Sequence, residues 1–149
     1  MKIVALTVLV LIVAFAALLT FQNLKVPTHL GLKDGQLAPM PTKPNAVSSQ
    51  TDVADKKVEP LPFKATPEET VGVVNAVLAQ LGGNEIQVQE SHYIYSVFTT
   101  PKMRYHDDVE IYLDSEAQLV HFRSQSRAGH SDMGVNRKRY DAFRALYLK

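Results

Sequence analysis

The sequence predicts an α+β domain behind a single N-terminal transmembrane helix, and three observations carry that prediction. One uncharged apolar run opens the chain, two later segments repeat apolar residues at helical spacing, and the four segments between them alternate with period two. The predicted element order after the apolar helix is α-β-β-β-β-α, a four-stranded antiparallel sheet with two helices packed on one face. The chain divides into a transmembrane signal-anchor at 1–21, a Pro-rich linker at 22–62 and a globular domain at 63–149. A length of 149 residues leaves room for one hydrophobic core after the first two parts are set aside.

The opening run, Ile3 to Phe21, is interrupted only by Thr7 and Thr20. As a helix it would span about 28 Å at ~1.5 Å per residue, close to the ~30 Å hydrocarbon core of a bilayer. A cleaved signal peptide has a shorter apolar core followed by a small-x-small site and polar residues. Here such triplets, Ala14-Phe15-Ala16 among them, lie inside the run, which favours an uncleaved anchor. Cations nearly balance across it, with Lys2 and the amino terminus before and Lys25 and Lys33 after. The reading is a single-pass membrane protein with its domain on the extracytoplasmic side, because an N-terminal anchor usually exports the domain behind it.

Between 22 and 62 the prolines at 27, 39, 41, 44, 60 and 62 break any helix. Fully extended, this stretch would reach ~120 Å at about 3.1 Å per residue. Yet Leu30, Leu32, Leu37, Val47 and Val58 are apolar residues that a spacer does not need, so Leu37 to Gln50 is a candidate strap lying on the domain.

The first domain helix starts at Thr66-Pro67-Glu68-Glu69, where Thr66 caps, Pro67 suits the first turn and Glu69 completes a capping box. Val71, Val74, Val77, Leu78 and Leu81 form its apolar stripe, and Gly82-Gly83 ends it. Predicted strands come next at Glu85 to Gln89, Tyr93 to Thr99, Tyr105 to Leu113 and Leu119 to Ser126. Ile86 and Val88 share one face of the first. In the third, Val109, Ile111 and Leu113 oppose Arg104, His106, Asp108, Glu110 and Tyr112; in the fourth, Val120 and Phe122 oppose His121, Arg123, Gln125 and then Arg127. The last helix runs from about Asn136, its candidate cap, to Leu148, with Tyr140, Phe143, Leu146 and Tyr147 on its buried side.

A net charge of +1 gives no reason to expect a nucleic-acid partner. The absence of cysteine excludes a disulfide framework and any thiolate zinc site. His106, Asp107, Asp108, His121 and His130 fall in no ligand spacing that carries weight, so no metal is assigned. No cofactor motif is complete, and Gly129 and Gly134 read as tight-turn residues.

The string VHFRSQSRAGHSDMGVNRKRYDAFR (Val120 to Arg144), with YHDDVEIYLD before it and LAPMPTKPNAVSSQ (Leu37 to Gln50) ahead, resembles the domain of unknown function 1499 family. The resemblance covers about residues 37–146 and implies that strap and folded part form one unit. It also implies cysteines at positions held here by Met40 and Ala46, so whatever those cysteines do is closed to this chain. The family has no established activity.

Two clusters carry candidate chemistry. Three cations, Arg137, Lys138 and Arg139, stand in the first turn of the last helix, where the helix dipole is already positive. Either an anionic ligand offsets them, held by Arg123, Arg127, Ser131, Asn136, Arg137 and Arg139, or the protein's own acids do: Asp132, Asp141 or the third-strand carboxylates. The second cluster sets Asp108 and Glu110 across from Arg123 and Arg127, a cross-strand ladder in its plainest reading. The leading functional reading is a non-enzymatic envelope module that binds an anionic ligand or an envelope protein partner near the membrane. The alternative is a hydrolase-like or lyase-like enzyme using Glu110 with Asp108 or His121. A third is a structural subunit whose sheet face or strap completes another protein.

Overall fold

The structure is a computed structural model that describes residues 2–149; Met1 lies outside the described residues. Helix α1 (Lys2–Leu24) is long and apolar enough to cross a membrane. Its side chains stay exposed along nearly the whole length, and Thr7 and Thr20 return their hydroxyls to the carbonyls of Ile3 and Ala16. That internal bonding leaves no polar group of the run to be satisfied by water.

Six strands form one antiparallel sheet. Four make a meander: β3 (Asn84–Gln89), β4 (Tyr93–Thr99), β5 (His106–Asp114) and β6 (Leu119–Ser126). The other two, β1 (Ala46–Ser48) and β2 (Leu61–Pro62), both pair with the free edge of β6. The predicted count of four is therefore corrected to six. Strands of three and two residues beside prolines are too short for alternation to reveal, and only the exposed edge of β6 specifies them.

Helices α2 (Pro67–Leu81) and α3 (Val135–Tyr147) pack on the same sheet face. Thr66 caps α2 as predicted, its hydroxyl accepting the Glu69 N–H at 3.1 Å, and Gly82 closes it at φ 63°, a conformation glycine adopts without strain. Val74 and Leu78 from α2 and Phe143 and Tyr147 from α3 meet Ile94, Val109, Ile111, Val120 and Phe122 from the sheet. The ring of Phe122 lies 5.4 Å from Tyr140 and 5.3 Å from Phe143. A bulge between Ile86 and Val88 sends them to opposite faces, so their predicted common face is corrected: Ile86 pairs with Ser96 and Val88 with Tyr95.

The other sheet face is largely covered over β4 to β6 and open only toward β3. Leu37 is buried against Tyr93 and Tyr95, with Leu30, Leu32, Val97 and Tyr112 around them. Val47, one strand inward, belongs to the main core. The extended segment thus forms a third layer over the polar face, and that placement determines what the charged residues can do.

Candidate functional site

Under the strap the charges of β5 and β6 are matched pairwise. Glu110 and Arg123 face each other across the strands, with Arg123 Nη1 2.9 Å from Glu110 Oε2 and both side chains wholly buried. Glu110 Oε1 also accepts the Tyr93 hydroxyl at 2.8 Å and the Gly31 N–H at 2.7 Å. Arg123 Nε donates to the Ala38 carbonyl at 2.9 Å, and Nη2 donates to Gln125. Beside them Arg127 forks onto Asp108 through Nε and Nη2, the latter at 2.7 Å, while the Tyr95 hydroxyl donates to Asp108 at 2.6 Å. Burial, reinforced by these carboxylates, pushes both phenols well above their usual range, so they remain donors. Burial pulls Arg123 below its ordinary value despite Glu110; for Arg127 burial acts in the same sense, but Asp108 and Tyr95 together outweigh it and raise the value.

Two of the three cations at the start of α3, Arg137 and Arg139, find internal partners too, while Lys138 is exposed. Arg139 meets Asp107 at 2.6 Å and lies over the Phe98 ring at 4.6 Å. Asp107 is on the apolar side of β5, where the strand's alternation gives no reason to look for a partner. Arg137 donates to the carbonyls of Asp55 and Lys57 in the strap, not to Asp141. The cap predicted at Asn136 is corrected to Gly134, which has no side chain to cap with; the Asp132 carboxylate, two residues earlier, accepts the Gly134 and Asn136 N–H groups at 3.0 and 2.8 Å. Asn136 lies inside the helix, wholly buried, tying Asn45, Ser124 and Ser126 to it. Ser131 remains exposed, bordering a hollow of about 160 Å³ together with Asp132 and Arg137.

His121 is set apart from the two carboxylates with which sequence groups it. Its Nδ1 lies 3.1 Å from the Ser49 hydroxyl, which accepts the Phe122 N–H at 3.0 Å, and its Nε2 is 4.0 Å from Asp114. Tyr112 stacks on the ring. Serine, imidazole and carboxylate are thus aligned, but Ser49 is buried by its own backbone pairing and lines neither the hollow beside Ser131 nor the larger cleft at the foot of α1. The constellation ties the strap to the sheet. Burial lowers the His121 pKa from 6.5, with Asp114 opposing. A depressed histidine favours folding above 6.5 and loses that contribution as pH falls toward its folded value. Urea midpoints between neutral and acidic pH are expected to fall more steeply for the native chain than for His121→Gln; parallel slopes would refute this.

A cleft of about 520 Å³ opens where α1 joins the sheet. It is lined by Val26, by Glu85, Gln87 and Val97, and by Arg104, His106 and Arg127. Asn23, in the last turn of α1, fixes the geometry. Its Nδ2 donates to the Arg104 carbonyl at 2.8 Å, its Oδ1 accepts the His106 N–H at 2.6 Å, and its own carbonyl is 3.1 Å from His106 Nδ1. Arg104 holds φ 55°, which turns its carbonyl toward Asn23. Of the ligand-binding candidates nominated from sequence, only Arg127 lines this cleft. Glu85 and Asn23 stand outside every sequence motif, and Arg104 enters from sequence only as a flank of the charged third-strand face. A polar residue directly after the apolar run is the one signal that points there.

Fold and site define a class: a small α+β domain whose sheet is largely covered on both faces, clamped to the end of a single apolar helix, with a cleft at that joint. The chain belongs to the family described as Protein of unknown function (DUF1499), whose model matches residues 36–146. That match begins one residue before Leu37, so the strap is part of the family unit. No curated protein matches the chain.

Proposed function

We propose that this protein is a non-enzymatic, single-pass envelope module, its domain on the extracytoplasmic side, that holds an anionic amphiphile in the cleft at the foot of α1. The observation carrying this reading is the clamp of Asn23 onto Arg104 and His106, which puts the cleft at the point where the apolar helix ends. A volume of about 520 Å³ suits a small ligand or a lipid headgroup. Its lining sets apolar Val26 and Val97 beside the exposed cation Arg104, with Arg127 already paired to Asp108 and Glu85 also present, which fits a ligand with both apolar and polar character. Against an acid–base enzyme, Asp108 and Glu110 are each buried and held by an arginine and a tyrosine.

Native mass spectrometry of the full chain, released from micelles containing phosphatidylglycerol and phosphatidylcholine, tests this. One phosphatidylglycerol is expected to stay bound, and Arg104→Gln is expected to release it without lowering the melting temperature. Equal retention of both lipids, or of neither, sinks the ligand reading. Protection of the domain from protease in intact spheroplasts would reverse its side.

A further inference from the structure

We infer that the β4–β5 connection, Thr100 to Tyr105, is a second membrane contact, with Lys102, Met103 and Arg104 seated in the headgroup layer on anionic phospholipid. The inference rests on the reading that α1 crosses a bilayer.

Depth is the first argument. The apolar run ends at Phe21, and about 28 Å of helix nearly fills a ~30 Å hydrocarbon core. Asn23 is two residues further along an unbroken helix, roughly 3 Å beyond that boundary and within the headgroup layer. Because Asn23 bonds Arg104 and His106 from both sides of its amide, the connection is held at the same depth. No flexible joint separates helix from domain at this point.

Chemistry agrees. Met103 is 67% exposed, an unbranched apolar side chain that finds no partner within the fold. Lys102 and Arg104 flank it, Lys25 is exposed on the adjoining segment, and neither 22–32 nor 99–106 contains an acid. An apolar residue between cations suits an interface where the chain dips below the phosphates while its charges meet them. Each such cation favours an anionic surface by about fivefold.

The opposite end of the meander has the reverse character. Its turns, β3–β4 and β5–β6, carry Glu90, Asp114 and Glu116 and no lysine or arginine from 114 to 118 or from 90 to 92. In an antiparallel meander these turns lie a full strand length from Thr100–Tyr105. The turns of the meander are therefore charge-polarised along its strands, with the cationic connection against the helix foot. The cleft would then open at the bilayer surface in one fixed posture.

The chain has no cysteine, so single-cysteine variants of the full protein report cleanly. Phe15→Cys, Met103→Cys and Glu116→Cys would carry an environment-sensitive fluorophore in phosphatidylcholine vesicles with and without phosphatidylglycerol. The label at 15 is expected to be quenched by deep lipid nitroxides and the label at 116 freely by iodide. At 103, iodide quenching is expected to be several-fold weaker than at 116, headgroup nitroxides should quench, and protection should grow with phosphatidylglycerol. Lys102→Glu, which lies outside the cleft, should reverse that growth. If position 103 is as open to iodide as 116 while 15 is protected, the inference fails and the anchor stands. Equal protection on neutral vesicles overturns the choice of anionic lipid, and an exposed position 15 overturns the anchor and the inference together.

Discussion

Arg123→Met is expected to destabilise the domain by about 3–5 kcal/mol, because it leaves the Glu110 carboxylate buried without its cation. Glu110 would keep only the Tyr93 hydroxyl and the Gly31 N–H, two neutral donors in a site that water does not enter. The Ala38 carbonyl would lose its donor as well. Against a typical net stability of roughly 5–15 kcal/mol, that loss is a large fraction of the whole. Adding Glu110→Gln to the same chain is expected to recover a good part of it, since the uncompensated charge disappears while an acceptor for Tyr93 remains. Urea unfolding of the two singles and the double yields the coupling directly. A single-variant cost below about 1 kcal/mol, or strict additivity in the double, would show that Glu110 reaches water or another cation.

Deleting residues 1–57 is expected to abolish cooperative folding, whereas a chain starting at Lys25 should still fold. The shorter deletion removes α1 and the Asn23 clamp but leaves the strap in place. The longer one removes β1, Leu37, Val47 and the backbone groups that bond Glu110 and Arg123. Burial of the Leu37 and Val47 side chains favours the fold by about 1.5–3 kcal/mol each. Their loss would also uncover a buried charge pair and leave the edge of β6 unpaired. Near-ultraviolet circular dichroism and urea titration of both fragments would check this. A sharp unfolding transition in the 58–149 fragment would mean that the strap is dispensable.

Much of the architecture is legible in the residues because it is local. Thr66-Pro67-Glu68-Glu69 announces a helix start whatever surrounds it, and the alternation of Val109, Ile111 and Leu113 fixes which side of β5 faces the core. The opposition of Glu110 to Arg123 comes from that same alternation and the hairpin register. The features that local pattern missed have physical reasons. A bulge at Gln87 reverses Val88 without any change in composition, since one extra residue is enough to flip a strand's faces. Asn136 resembles a cap, yet Asp132 lies four residues earlier with a carboxylate that reaches two free N–H groups at once. Asp107 sits on an apolar face because Arg139 arrives from another element to pair with it.

By itself the sequence determined the apolar helix, the helices and meander of the domain, the family, and the absence of any cysteine chemistry. All of these depend on the period and chemical type of neighbouring residues, and neighbours are all a linear chain displays. Tertiary structure alone decided which charges are free. Gly31 reaches Glu110 across 79 positions, and Asn23 reaches Arg104 across 81. Those contacts close one basic face beneath the strap and open a different site where α1 ends, because a buried charge must find its partner wherever the fold brings one within reach.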